Sequence, residues 1–138
     1  MVRDEWRATG AKDMPWALAL GVPPAVNLVA ALPFPKNVSE GEYVGALLGE
    51  PLELVKCDKN ELLVPASSEI VLEGAFLLEE LGMEGPFGDF LGLMSDGDAH
   101  EQPLFRVDKI TNRDDAILPI SVPGRITDEW VCTRGFEW

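Results

Sequence analysis

Two acidic residues, Glu84 and Asp89, stand on either side of a short turn sequence, residues 85–88 (GPFG). Pro86 fixes its own backbone φ angle and suits the second position of a tight turn, and Gly88 suits the exit of that turn. Such a turn places Glu84 and Asp89 opposite each other on adjoining strands, with their Cβ atoms about 5 Å apart. Two carboxylates at that distance repel each other, so one of them can hold a proton near neutral pH and donate it. The other interpretation is a solvent-exposed turn between two ordinary acids.

The composition of the chain limits the partners and the compartment that we expect. Its 138 residues are enough for one domain with a hydrophobic core. Its net charge of −13 argues against binding to nucleic-acid phosphates or to an anionic membrane surface. Cys57, Cys132 and the single histidine, His100, form neither a zinc pattern nor a disulfide framework. Because there is also no signal peptide and no apolar run long enough to span a membrane, we expect one cytoplasmic domain over residues 1–138.

One helix has clear signals at both of its ends. Ser39 and Glu42 form a capping box, in which Ser39 is the N-cap and Glu42 occupies the third helical position. Gly49 is suited to end the helix. Between them, apolar residues recur at helical spacing, namely Tyr43, Val44, Leu47 and Leu48. The sequence therefore predicts a helix between Ser39 and Gly49, and residues 2–9 resemble the end of an earlier one.

Most of the remaining chain has the patterns of short strands. Residues 15–22 form a continuous apolar run, typical of a strand buried on both faces, and 26–32 form a second apolar run. Residues 52–57 and 61–64 flank a turn and predict a hairpin. Residues 69–76 show the alternation of a half-buried strand. There the alternating sets are Ile70, Leu72 and Phe76 on one side and Glu69, Val71 and Glu73 on the other.

Later segments complete a β-rich pattern. Further strands are predicted over 90–94, 105–110 and 116–122, and a helix from 128 onward. His100 falls in a polar loop that follows 95–98, and we expect it to be a solvated side chain. With about six to eight strands and one or two short helices, the chain is predicted to be mainly β (β-rich α+β), as a barrel or a sandwich. It lacks a GxGxxG or Walker phosphate loop, so a nucleotide-binding α/β fold is not expected.

Taken in order, several stretches resemble the UbiD family of decarboxylases, most closely its ferulic/cinnamic acid decarboxylase branch. The resemblance covers nearly the whole chain, and the combination of motifs is more specific than any single one. The matching stretches are 38–46 (VSEGEYVGA), 54–58 (LVKCD), 64–66 (VPA), 68–74 (SEIVLEG), 84–89 (EGPFGD), 110–113 (ITNR) and 124–129 (GRITDE).

The resemblance implies a split β-barrel like that of the flavin reductases and other FMN-binding domains. It also implies prenylated FMN as cofactor, with a divalent metal (Mn or Mg) and potassium at its phosphate. In the family the modified flavin bonds to an α,β-unsaturated or aromatic carboxylic acid and accepts electrons while carbon dioxide leaves. An acid of the protein then protonates the product.

Individual residues take roles through this resemblance. Asp89 matches the proton-donating carboxylate, although it is one methylene shorter than the usual glutamate, and Glu84 matches the carboxylate that tunes it together with an arginine. Glu40 matches the metal ligand near the flavin phosphate, a role that a carboxylate suits. The segment that in the family lines the flavin and gives carbonyl oxygens to potassium is matched here by Ala30, Ala31, Leu32 and Pro33. Two departures put a cinnamate-like substrate in question, because Trp130 and Arg134 stand where smaller or apolar residues are expected.

The resemblance is confined to the central domain of longer enzymes. The catalytic arginine and the Asn and His metal ligands belong to the family's N-terminal domain, and the main oligomer interface belongs to its C-terminal domain. We therefore expect a (de)carboxylase domain that is a fragment or one subunit of a split enzyme, inactive without the partners that supply the other domains. Homo-oligomer formation stays open. The alternatives are a non-catalytic, degenerate barrel that binds a partner or ligand and, last, a hydrolase that uses the carboxylate pair.

Overall fold

The computed structural model describes residues 2–35, 37–86 and 99–120 of the chain. Three helices and five strands lie in these ranges. In chain order they are α1 (Val2–Ala8), β1 (Asp13–Leu20), α2 (Pro24–Ala30), α3 (Glu40–Leu48), β2 (Leu54–Lys56), β3 (Leu63–Pro65), β4 (Ile70–Glu84) and β5 (His100–Asn112). The β-rich class is thereby confirmed. The strands form two open antiparallel sheets, ordered β1-β4-β5 and β2-β3, so a closed split barrel stays a prediction.

Strand β4 is the central element of the larger sheet. It is 15 residues long and pairs with β1 along its first half and with β5 as far as its last residue, Glu84. Gly74 is required here, because a Cβ atom at this position would lie 1.9 Å from the backbone oxygen of Arg106 on β5. The sequence pattern predicted only the first half of this strand. It continues to Glu84 because no Gly-Pro break occurs before residue 85.

The buried face of β4 carries Val71, Glu73 and Ala75, whereas Ile70, Leu72 and Phe76 are half-buried. The hydrophobic core lies on that face, where Val71 packs with Cys57 and Val64 of the β2–β3 region and with Ala17 and Ala19 of β1. Over residues 70–76, the face with the larger apolar residues is therefore not the more buried one, whereas farther along β4 Leu78 is fully buried. The face with Phe76 is partly covered at one end by α1, whose Arg3 guanidinium lies 5.6 Å from the centre of the Phe76 ring.

Strand β1 confirms the predicted strand near residues 15–22 but not its burial on both faces. Its residues are mostly half-buried, and Leu18 is 40% exposed. The physical reason is that Ala17 and Ala19 face the core, while Leu18 points to the opposite side of the sheet. The second apolar run, 26–32, overlaps helix α2, which begins directly after Pro23.

The β2–β3 hairpin is confirmed, and polar contacts fix it to the sheet. The Lys59 N–H at its turn donates to Oε2 of the buried Glu73 at 2.7 Å. The Asn60 amide donates to the backbone oxygen of Trp16 at 3.3 Å, and the Lys109 ammonium bonds to the Asp58 carboxylate. The hydrogen bond from the Lys59 N–H explains why a glutamate can occupy the buried face of β4.

Two predictions in the second half of the chain are wrong. His100 is the first residue of β5 and not part of a loop, and residues 116–120 contain no strand. The predicted strand over 90–94, the loop over 95–98 and the helix from 128 lie outside the described residues. No helix within 2–35, 37–86 and 99–120 is long and apolar enough to cross a membrane.

Candidate functional site

Glu84 lies at the end of the β4–β5 ladder, where its partner across the sheet is His100. Its carboxylate Oε2 lies 3.9 Å from the imidazole Nε2 of His100, and both side chains are about half exposed. In the pairing of β4 with β5, the residue opposite Glu84 is therefore His100 and not the predicted Asp89. The reason is that β4 meets a strand that begins at residue 100, well beyond the turn sequence.

The turn sequence itself is described only at its start. Gly85 has a φ of 83°, in the left-handed region that favours glycine, so the chain turns away from β4 at this residue. Asp89 lies outside the described residues. Its distance from Glu84, and with it the proton-donating pair, stays a prediction.

Glu40 occupies the first position of α3, where the predicted cap is confirmed. The Ser39 hydroxyl accepts a hydrogen bond from the Glu42 N–H at 3.3 Å, and Gly49 ends the helix with a φ of 75°. The backbone amides at this helix start favour an anion, while the Glu40 carboxylate suits a hard cation. A metal ion bound to a phosphate group presents both charges, so this helix start fits the group that the resemblance implies.

The residues expected near potassium follow α2. Ala30, Ala31, Leu32 and Pro33 are all exposed, and the Leu32 side chain is 42% exposed, so they are not core residues. The Ala31 N–H bonds to the Leu28 oxygen at 3.3 Å and the Leu32 N–H to the Val29 oxygen at 3.0 Å, which tightens the last turn. The carbonyl groups at the end of a helix lack partners within it and are suitable potassium ligands. This segment therefore fits a backbone-carbonyl site.

The predicted residues fall into two groups on different elements. Helices α2 and α3 pack together, and the rings of Phe34 and Tyr43 lie 4.9 Å apart, which places the segment after α2 beside α3. Glu40 and the Ala30–Pro33 segment thus belong to one helical unit, while Glu84 is on the long sheet. Among the described residues, no three His, Cys, Asp or Glu side chains are grouped to hold a metal. A cation at Glu40 would need ligands from elsewhere.

Two ion pairs away from the predicted site shift the pKa of a carboxyl group. The Lys109 ammonium holds the pKa of the Asp58 carboxyl below its usual value, and the Arg106 guanidinium does the same for the pKa of Asp108. Burial, followed by the nearby Glu73 carboxylate, raises the pKa of the Cys57 thiol. Cys57 is therefore a protonated core residue and not a nucleophile.

Sequence reasoning missed His100 as the neighbour of Glu84 and Glu73 as a buried residue. The sequence before Gly85 contains no Gly-Pro break, which indicates that β4 can extend to Glu84. A strand of that length needs a partner for its last residues, and His100 provides it for Glu84. For Glu73 the sequence carried no local signal, because its hydrogen-bond donor, the Lys59 N–H, belongs to a separate hairpin.

Residues 1–126 match the family model described as the UbiD 3-octaprenyl-4-hydroxybenzoate carboxy-lyase Rift-related domain. The chain belongs to the UbiD family.

Three similar proteins illustrate the range of the family. The chain is 49% identical over 129 residues to ferulic acid decarboxylase 1 of Saccharomyces cerevisiae, covering 93% of this chain and 26% of the relative. It is 49% identical over 129 residues to the pyrrole-2-carboxylic acid decarboxylase of Pseudomonas aeruginosa, covering 94% of this chain and 26% of the relative. An evolved dimeric form of the UbiD-class enzyme HmfF from Pelotomaculum thermopropionicum, solved with prFMN, superposes with a TM-score of 0.75 at 36% identity, covering 83% of this chain and 26% of that one.

The chain spans about a quarter (26%) of the length of the curated relatives that it matches.

Proposed function

We propose that this chain is the cofactor-binding domain of a prenylated-FMN-dependent (de)carboxylase that acts on an α,β-unsaturated or aromatic carboxylic acid. The observation that carries the proposal is the family match over residues 1–126. It is supported by a structural neighbour of 36% identity that was solved with prFMN. When bound, the prenylated flavin would supply the electron-accepting chemistry of carbon dioxide loss.

The residues of this chain would hold the cofactor through its phosphate. Glu40 would bind the divalent Mn or Mg ion, and the amides at the start of α3 would favour the phosphate charge. Backbone oxygens of the Ala30–Pro33 segment would hold potassium. Because α2 and α3 pack together, the two cation sites would be fixed relative to each other.

Glu84 and Asp89 would manage the proton. Asp89 would deliver a proton to the carbon that loses carbon dioxide, and Glu84 would set the charge next to Asp89. The exposed position of Glu84, with half of its side chain accessible, leaves it reachable from a substrate cleft.

We further propose that the cleft is completed by other domains or by a partner subunit. Described residues of the helical unit leave large apolar side chains uncovered, including Leu28 at 60% and Leu47 at 52% exposure. Exposed apolar surface of this kind marks an interaction surface. The split barrel of the family would close when these parts assemble, and the isolated chain would bind flavin weakly and not decarboxylate.

A chimera tests cofactor binding directly. The matched 129-residue segment of the P. aeruginosa relative would be replaced by this chain, and the chimera would be expressed with a flavin prenyltransferase. We expect bound flavin in the absorbance spectrum of the purified chimera and its loss in Glu40→Gln, because the metal loses its carboxylate. The matched control is Glu80→Gln, an exposed glutamate on β4 outside the predicted site, which should retain flavin.

A folded chimera without flavin would contradict the proposal and favour the non-catalytic barrel. Circular dichroism and the elution volume on gel filtration would establish folding before that conclusion is drawn. Equal flavin content in Glu40→Gln and in the parent chimera would remove Glu40 from the proposed metal site.

A further inference from the structure

Helix α3 forms one wall of an open groove on the side away from its buried Val44. The groove has a volume of about 640 Å³, and the segment after Gly49 forms its other wall. Its lining is mostly apolar, with Gly45, Ala46, Pro51, Leu52 and Leu54. Gly45 allows the two walls to lie close, because a Cβ atom there would be 3.3 Å from the Glu50 oxygen. We call this recess the acidic groove, since Glu42 and Glu50 also line it.

The acidic groove lies apart from the proposed metal site. An α-helix turns by about 100° per residue, so Glu42 projects roughly 200° away from Glu40 around the helix axis. Glu40 shares the other side of α3 with Val44, which is buried. Binding in the groove therefore leaves the Glu40 carboxylate uncovered.

The charge around the groove has a single sign. A second recess, of about 530 Å³, continues from it, sharing Glu50, Pro51 and Leu52 and adding Glu53. Glu42, Glu50 and Glu53 are all exposed. Neither recess is lined by a Lys, Arg or His among the described residues. An occupant would meet apolar contacts in the middle and negative charge at the rim.

We infer that the acidic groove binds a basic, amphipathic segment of the partner polypeptide or domain that completes the enzyme. Apolar side chains of that segment would contact Ala46, Leu52 and Leu54, and its Lys or Arg residues would meet Glu50 and Glu53. An amphipathic helix in an apolar groove is a recurrent mode of recognition, and complementary charge gives it specificity. From Ser39 to Gly49 the wall is about 15 Å long, enough for some three turns of helix.

A second copy of this chain is a poorer occupant. Two copies with a net charge of −13 each would bring carboxylates against carboxylates at this rim. This binding site rests on the proposed function, in which a partner or further domain completes the enzyme. The acidic groove would be where that partner binds, and the partner would present basic and apolar side chains.

The experiment uses the full chain and a short fluorescent peptide of leucine and lysine at helical spacing, with a leucine–glutamate peptide as its charge control. Fluorescence anisotropy measures binding to the wild-type chain and to two charge-matched double variants. Glu50→Lys with Glu53→Lys changes the groove, and Glu80→Lys with Glu101→Lys makes the same charge change on β4 and β5. We expect the groove variant to weaken binding about tenfold and the control variant about twofold or less.

A third variant separates shape from charge. Ala46 is exposed on α3, so Ala46→Trp fills the groove without a change in charge and without a core substitution. We expect it to weaken binding of the leucine–lysine peptide to about the same extent as the groove charge variant. Equal losses in both charge variants together with normal binding by Ala46→Trp would overturn the inference, because the peptide would then bind by charge alone.

Two further outcomes would contradict the binding of a basic segment in the acidic groove. Binding of the leucine–glutamate peptide with equal affinity would show that the rim charge does not select the partner. A dimer of the wild-type chain that Ala46→Trp dissociates would assign the groove to a second copy. The flavin content of the chimera is measured separately, so failure of the groove does not count as failure of the proposed function.

Discussion

The buried carboxylate of Glu73 gives the most quantitative prediction from this structure. Glu73 is 2% exposed, and its Oε2 accepts the Lys59 N–H at 2.7 Å, which fastens the β2–β3 hairpin to the large sheet. Glu73→Ala would leave the Lys59 N–H without its acceptor and open a small cavity beside Cys57 and Val71. A hydrogen bond to a charged group contributes about 1.5–3 kcal/mol, so we expect a loss of about 2–3 kcal/mol in the free energy of unfolding.

Urea denaturation followed by circular dichroism measures this loss, and thermal denaturation gives a second estimate. For a domain of this size about 1 kcal/mol corresponds to roughly 4 °C, so the melting temperature should fall by about 8–12 °C. Glu73→Gln keeps an acceptor oxygen and should lose less than Glu73→Ala. In both substitutions the amide of Lys59 should exchange with solvent faster than in the wild type.

The matched control is Glu61→Ala on the same hairpin. Glu61 pairs with Lys56 at 2.7 Å, but its side chain is 89% exposed, and exposed pairs contribute between about 0 and 1 kcal/mol. Equal losses of stability in Glu73→Ala and Glu61→Ala would refute the reasoning, because the buried contact would then be no more important than a surface one.

Three further predictions concern the same framework. Gly74→Ala should destabilise the chain by more than about 2 kcal/mol in urea denaturation, because its Cβ would lie 1.9 Å from the Arg106 oxygen; a neutral effect would mean that β4 and β5 are not this close. In a Cys132→Ser background, the Cys57 thiol should react with a disulfide reagent only after unfolding, because burial protects it and raises its pKa; rapid reaction of the native chain would contradict its burial. Lys109 lowers the pKa of Asp58 from its ordinary value of 3.8, so this stabilisation is present above pH 3.8 and is lost as the pH falls through the lower folded value. Lys109→Met should therefore reduce the loss of unfolding free energy on acidification. If that loss is the same in Lys109→Met and in the wild type, the Lys109–Asp58 ion pair does not stabilise the fold.

Local signals predicted helix α3 well, whereas α2 lies where the sequence showed only an apolar run. Ser39 and Gly49 define the two ends of α3 through the hydrogen bond and backbone angle that each residue favours, so no distant contact was needed. The β2–β3 hairpin was predicted for the same reason, since its turn residues lie between two short apolar runs. Glu40 is correctly placed at the start of a helix, and its role as a metal ligand stays a proposal.

The sheet depends on contacts that a local pattern does not contain. The alternation in residues 69–76 favoured the face with the larger apolar residues, but the hairpin covers the face that holds Glu73. The partner of Glu84 depends on where β5 begins, sixteen residues farther along the chain. A strand pairing of this range is set by the whole sheet, so local sequence did not predict His100 as the partner of Glu84. The expected hairpin across residues 85–88 stays a prediction.

The measurement that tests the central claim most directly is decarboxylation of pyrrole-2-carboxylic acid by the chimera with the P. aeruginosa relative. Carbon dioxide release would be compared between the parent chimera and its Asp89→Asn variant at equal flavin content. A positioned general acid contributes about 10²–10⁴ in rate, so we predict turnover by the parent and at least about a hundredfold loss in Asp89→Asn. Flavin-loaded chimera that never turns over, or an Asp89→Asn variant as fast as its parent, would contradict the account.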